Sequence, residues 1–125
     1  MENFSVLNLG VLNEINNKSI HIKQIIDYIQ DNYSQKISMD DLVNELEMSA
    51  TYINNKIREN TTYTFNEVLN RYRIQKAIEI ISIGQEKIST VALDVGFSDY
   101  RYFIKVFKRY TKALPSDFVN YYKNK

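Results

Sequence analysis

Residues 65 to 83 form an uninterrupted helical pattern whose apolar face changes side halfway along. With about 100° between successive residues, Phe65, Val68, Leu69 and Tyr72 cluster on one side. Ile74, Ala77, Ile78, Ile80 and Ile81 centre on roughly the opposite side. A helix packing on a single core keeps one apolar face. This pattern instead predicts a bridge, its first half in one small core and its second half in another. Gly84 is placed to end it.

The flanks read as helices too. Ile22, Ile25, Ile26, Ile29 and Tyr33 lie at helical spacing, in a pattern that begins at Ser19. Ser38 precedes Asp40 and Asp41, which suits a helix start through capping and the macrodipole. Leu42, Val43 and Leu46 form that helix's stripe, and Ser49 is an N-cap for the next, with Ile53 and Ile57 inside. Beyond the bridge, a short helix runs over 88 to 95 with Ser89 as its candidate cap, and Gly96 and Phe97 make a turn. Ser98 or Asp99 caps a helix that buries Phe103, Val106, Phe107 and Tyr110. Pro115 opens a last helix in which Phe118, Val119 and Tyr122 are available to pack. One proline and three glycines in 125 residues leave little punctuation for a many-stranded sheet. The expectation is an all-α fold of about seven helices. Residues 1 to 18 read as a polar tail or linker, and 19 to 125 as the folded domain.

The two halves overlay. Leu42-Val43 match Val91-Ala92, and Leu46-Glu47-Met48 match Val95-Gly96-Phe97. After a one-residue insertion at Ser98, Ile53 matches Phe103, Ile57 matches Phe107 and Arg58 matches Lys108. Each unit, about 37 to 62 and about 88 to 112, is a short helix, a tight turn and a longer helix. That is the helix-turn-helix plan, whose second helix fits a DNA major groove. Repeated hairpins used for packing alone, as in a helical protein-interaction module without DNA binding, share the same apolar spacing.

Charge separates the two readings. Opposite Phe103 stand Arg101, Ile104, Lys105, Lys108 and Lys112, four of them cationic. Residues 98 to 112 carry Arg101, Lys105, Lys108, Arg109 and Lys112 against Asp99, a net of +4 in a chain whose total is +1. A basic stripe on one exposed helix face is the electrostatic footprint expected for phosphates. Ile104 in its centre suits a thymine methyl, and Tyr100 sits at the helix start, where base edges are reached. The first unit turns Thr51, Asn54, Asn55 and Arg58 outward. Asparagine can pair with adenine, but residues 37 to 62 hold five acids against Lys56 and Arg58, a net of −3.

The stretch KISTVALDVGFSDYRYFIKVFKRYTKALPSDF, with its VGFSD, YF and VFKRYT segments, resembles the DNA-binding domain of AraC/XylS transcription regulators. The upstream stretch from Ile37 to Ala77 resembles the first unit and bridging helix of that family, and the likeness covers about residues 20 to 122. It implies two helix-turn-helix subdomains joined by a long bridging helix, with both recognition helices reading successive major-groove segments. By matching position it assigns base reading to Thr51, Asn54, Asn55, Tyr100, Arg101, Ile104 and Lys105. Arg58, Lys108 and Lys112 are the expected phosphate contacts. The resemblance also implies RNA polymerase as a partner and a sensor or receiver domain in a longer parent chain, of which this would be a C-terminal fragment or a stand-alone reader. The sequence departs from the family at Asn55, where arginine is common, at Glu47, where asparagine is frequent, at Thr62 and Lys112, which replace glycine, and at Leu114, which replaces threonine before Pro115.

Other function classes find little support. His21 is the only histidine and has no paired acid or nucleophile in view. Asp40 and Asp41 are helix neighbours that do not face each other. There is no glycine-rich phosphate loop or metal-ligand cluster, no cysteine, no run of about 20 apolar residues and no secretory start. The expectation is a non-enzymatic, cytoplasmic DNA reader with no cofactor, no metal and no membrane association.

Overall fold

The computed structural model describes residues 20–124. The tail read over residues 1–18 lies outside them. Seven helices and no strand are found among the described residues: α1 (Ile20–Asn32), α2 (Met39–Leu46), α3 (Ala50–Thr61), α4 (Phe65–Ile83), α5 (Ile88–Asp94), α6 (Tyr100–Thr111) and α7 (Pro115–Lys123). None is long and apolar enough to cross a membrane. The described residues divide into two compact units, with the boundary inside α4 between Leu69 and Asn70.

In the first unit α1 packs on α2 and α3, and α2 packs on α3. Ile22, Ile25, Ile26, Ile29, Leu42, Ile53 and Ile57 are buried, so the core is almost wholly branched aliphatic. Phe65, Val68 and Leu69 from the start of α4 are buried as well. Local chemistry sets each helix start. The Ser38 hydroxyl accepts from the Asp41 amide at 3.3 Å while the Asp41 carboxylate accepts from the Ser38 amide at 2.8 Å, a reciprocal cap. The Ser49 hydroxyl accepts from the Tyr52 amide at 3.1 Å, and Thr64 and Glu67 form a second reciprocal pair at the head of α4.

The second unit is aromatic. Phe97, Phe103, Phe107 and Phe118 meet edge-on or tilted through successive centroid distances of 5.2, 5.7 and 5.1 Å, and all four are buried. Truncating any of them to alanine would cost about 3–5 kcal/mol. α6 packs on α5 and α7. From α4 this unit takes Ile74, Ala77, Ile78 and Ile81, all buried, on the face opposite Phe65 and Leu69. The face switch in the sequence therefore corresponds to burial of one end of α4 in each unit.

Three expectations, for Ile80, Ser89 and Tyr110, need correction. Ile80 is only half-buried. It stands one residue, about 100°, from buried Ile81, at the margin of the stripe. Ser89 does not cap α5. The N-cap is Lys87, whose side chain makes no capping bond. The helical phase that buries Val91, Ala92 and Val95 starts at Ile88, which puts Ser89 inside the first turn. Tyr33, Val43, Leu46, Tyr110, Val119 and Tyr122 are half-buried rather than enclosed.

The repeat extends further than the two short hairpins. α3 and α6 end alike. Thr61 Oγ donates to the Ile57 carbonyl at 2.6 Å, and Thr111 Oγ to the Phe107 carbonyl at 2.8 Å. Each is followed by a non-glycine residue in the left-handed region, Thr62 at φ 63° and Lys112 at φ 64°. Then Phe65, Val68 and Leu69 correspond to Pro115, Phe118 and Val119. The start of α4 thus closes the first unit as α7 closes the second.

Candidate nucleic-acid interface

The turn between α5 and α6 is built from Gly96 at φ 104° and a Phe97 amide that donates to the Ala92 carbonyl at 2.9 Å. A side chain at that φ would be strained, so glycine carries the turn. The Asp99 carboxylate accepts from the amides of Arg101 and Tyr102 at 2.9 and 3.3 Å and starts α6. Phe103, Val106 and Phe107 fix the inner face at zero exposure. The opposite face is consequently presented outward as a unit. Arg101, Lys105, Lys108 and Lys112 are exposed, as is Arg109 on the flank.

None of these five cations forms an ion pair among the described residues. Ion pairs elsewhere among the described residues include Lys23–Asp27, Lys56–Glu59 and Lys76–Glu79. Like charges spaced along one face repel, and in a stable domain such a face is neutralised by solvent ions or by an anionic partner. Ile104 lies among them half-buried, less open than its helical position implied. Tyr100 is 44% exposed and its ring stacks on Phe103 at 6.3 Å, which holds it at the head of the helix.

The first unit presents a quieter face. Thr51, Asn54, Asn55 and Arg58 are exposed, while Ile53 and Ile57 anchor α3. Lys56, beside that face, is engaged with Glu59 at 3.8 Å and lies over the Tyr52 ring at 5.4 Å. α3 therefore offers hydrogen-bonding groups and little free charge, whereas α6 offers both.

The backbone departures at the helix ends follow from geometry. Glu47, Thr62 and Lys112 all occupy left-handed conformations, at φ 55°, 63° and 64°. Glycine, and to a lesser degree asparagine, adopts that region cheaply, so each of these three side chains carries backbone strain.

Several residues that hold α3 and α6 in place carry no periodic signal of their own. The Asn70 amide donates to the Tyr102 hydroxyl at 3.3 Å. The Arg71 guanidinium lies over the Tyr110 ring at 4.4 Å, and that of Arg73 over the Phe97 ring at 5.6 Å. Arg73 is 9% exposed, and burial pulls its guanidinium below the usual arginine range while the nearby Tyr102 hydroxyl opposes that shift. In the first unit His21 Nδ1 is hydrogen-bonded to the Tyr52 hydroxyl. The repeat interval was the one sequence signal that could have found His21 and Asn70.

Residues 42–121 match the helix-turn-helix domain family. Over 98 residues the chain is 32% identical to the transcriptional regulatory protein HptR of Staphylococcus aureus. That match covers 78% of this chain but spans only 38% of the relative's length. A DNA-binding transcriptional dual regulator of Escherichia coli has a similar structure, with a TM-score of 0.73 at 26% identity over 81% of this chain and 90% of that one. A probable AraC family transcriptional regulator of Rhodopseudomonas palustris shares the fold, with a TM-score of 0.73 at 21% identity over 83% and 98% of the two chains.

Proposed function

This chain belongs to the AraC type of helix-turn-helix domain, and from that premise we propose that it binds double-stranded DNA in a sequence-specific way to regulate transcription. α3 and α6 enter successive major-groove segments. Thr51, Asn54 and Asn55 read bases from the first unit. Tyr100, Arg101, Ile104 and Lys105 read them from the second. Arg58, Lys108 and Lys112 hold phosphates. The observation that carries this reading is the cationic outer face of α6, exposed and without an ion pair among the described residues, on the side opposite the fully buried Phe103, Val106 and Phe107.

The two helices divide the work. α6 supplies most of the electrostatic attraction, which is independent of sequence. α3, with amides and a threonine hydroxyl, contributes mainly hydrogen-bond selection. No catalytic role is assigned to any residue, and the family is one of regulators rather than enzymes. The family resemblance supports RNA polymerase as a protein partner, a cytoplasmic setting, and a sensor or receiver region in a longer regulator, in keeping with the 38% span of HptR.

The test is binding to a random duplex, followed by the salt dependence of Lys108→Ala and Lys112→Ala. The chain should be retained at low salt. Each lost phosphate contact should flatten the log–log salt slope by about 0.9. Absence of retention at low salt would refute DNA binding, and an unchanged slope in both variants would remove these two lysines from the interface.

A further inference from the structure

Both reading helices are held at one equivalent point by a polar side chain from the helix that opens their own unit. In the first unit His21, in the first turn of α1, is hydrogen-bonded through Nδ1 to the Tyr52 hydroxyl of α3, the two rings meeting edge to face at 5.4 Å. In the second unit Asn70 of α4 donates to the Tyr102 hydroxyl of α6 at 3.3 Å, and the Tyr102 ring leans on Phe97 at 6.1 Å. The positions correspond within the repeat. Asn70 follows His21 by 49 residues, the interval from Leu42 to Val91, and Tyr102 follows Tyr52 by 50, the interval from Ile53 to Phe103. The added residue is Ser98, between the two matched pairs.

Each tyrosine directly precedes the central buried residue of its helix, Ile53 or Phe103, and directly follows a candidate base-reading residue, Thr51 or Arg101. It therefore stands on the shoulder between the packed face and the outward face. Apolar packing is non-directional and resists separation of helices better than rotation of one about its own axis. A hydrogen bond at the shoulder is directional and opposes that rotation. A turn of about 20° displaces a side-chain tip some 6 Å from the axis by roughly 2 Å, well beyond the tolerance of a hydrogen bond to a base edge.

We propose that His21 and Asn70 are positioning residues that fix the rotation of α3 and α6 through Tyr52 and Tyr102, and so set base specificity without touching DNA. This rests on the DNA-reading function argued above. His21 is exposed, Asn70 and Tyr52 are half-buried, and Tyr102 is 44% exposed, so water can replace either bond at little cost to stability. Two different side chains, an imidazole and an amide, meet the same tyrosine oxygen in the two units. What recurs is the bond and its place.

The experiment first selects preferred duplexes from a random pool with the wild-type chain, then compares each variant on the preferred and a random duplex. Asn70→Ala and Tyr102→Phe should each lower the ratio of preferred to random affinity about fivefold to tenfold, at positions read by α6 only. His21→Ala and Tyr52→Phe should do the same at positions read by α3. Random-duplex affinity and salt slope should stay at wild-type values in all four, and melting temperature should do so in Asn70→Ala, Tyr102→Phe and Tyr52→Phe. The double variant Asn70→Ala/Tyr102→Phe should lose no more than either single change, because each removes the same bond. His21→Asn, which copies the second unit's tether, should keep more of the preference than His21→Ala. A wild-type chain with no preference among duplexes would overturn DNA reading and this proposal with it. A wild-type preference that all four variants keep, or a loss shared equally by the random duplex, would overturn this proposal alone.

Discussion

The Arg71 guanidinium lies 4.4 Å from the centroid of the Tyr110 ring, joining the bridging helix to the last full turn of α6. The planar cation gains from the electron-rich ring face and covers a residue that the rest of the core leaves half-buried. Arg71→Met keeps the apolar stem and removes the charge. It should lower stability by about 0.5–2 kcal/mol. Arg71→Lys should recover part of that loss, since it restores charge without the planar face. Denaturant unfolding of Arg71→Met, Tyr110→Leu and the double variant measures the coupling. Strict additivity would mean that the contact contributes nothing.

The left-handed helix ends give a second expectation. Thr62 and Lys112 sit at φ 63° and 64°, where an L side chain costs about 1–2 kcal/mol. Thr62→Gly should stabilise the domain by about 1 kcal/mol, the relief of strain exceeding the added freedom of the unfolded chain. Lys112→Gly should stabilise it too, yet weaken binding to every duplex alike if Lys112 holds a phosphate. Thermal melting and a random-duplex titration on the same preparation separate the two effects. A fall in melting temperature for both glycine variants would contradict the argument from φ.

The sequence made the helices legible because burial imposes a period. Ile22 to Ile29, Phe103 to Phe107 and the switch within residues 65 to 83 each mark a face before any contact is known. Ser38, Ser49 and Asp99 were readable as caps because a cap bonds within three residues. Ser89 has the local pattern of a cap yet lies inside the first turn, because several phases of a seven-residue helix satisfy that pattern. The outward face of α6 followed from the inward one, but Ile104's degree of shelter depends on its neighbours' side chains and was not readable. His21–Tyr52 and Asn70–Tyr102 join residues 31 and 32 apart. A single polar contact at that separation imposes no period, and only the internal repeat could have pointed to it.

Glu86 supplies a pH-dependent prediction. Its side-chain hydrogen bond to Asp94, then partial desolvation and the Asp94 charge, raise its carboxyl above the ordinary value of 4.5. A carboxyl whose folded value is raised holds its proton more tightly in the native state. Its contribution is therefore fully present below the ordinary glutamate value and is lost as pH rises through the folded value. At neutral pH the ionised group faces another carboxylate. Glu86→Gln should accordingly melt higher than wild type at pH 7, and the gain should vanish in acid, where protonated Glu86 can itself donate to Asp94. Melting curves across that range check it. A gain independent of pH would rule out ionisation as the cause.

Arg101 and Ile104 carry the sharpest consequence of the proposed interface. They lie one turn apart on the outward arc of α6, the first exposed and the second half-buried. Arginine is shaped to donate two hydrogen bonds to guanine O6 and N7, while isoleucine gains only by shedding water against an apolar partner, which in the major groove is the thymine methyl. The half-site read by α6 should therefore contain a guanine and a nearby thymine. Arg101→Ala should cost about 1–3 kcal/mol on the preferred duplex and relax selection at one position. Ile104→Ala should cost less, and more so because part of the side chain is already sheltered from water. Replacing the thymine with uracil should reproduce most of the Ile104→Ala loss, and combining the two should add little, since both remove the same methyl contact. Equal losses on preferred and random duplexes for Arg101→Ala would place that guanidinium on a phosphate. Indifference to uracil at every thymine of the site would assign the apolar surface of Ile104 to a protein partner rather than to DNA.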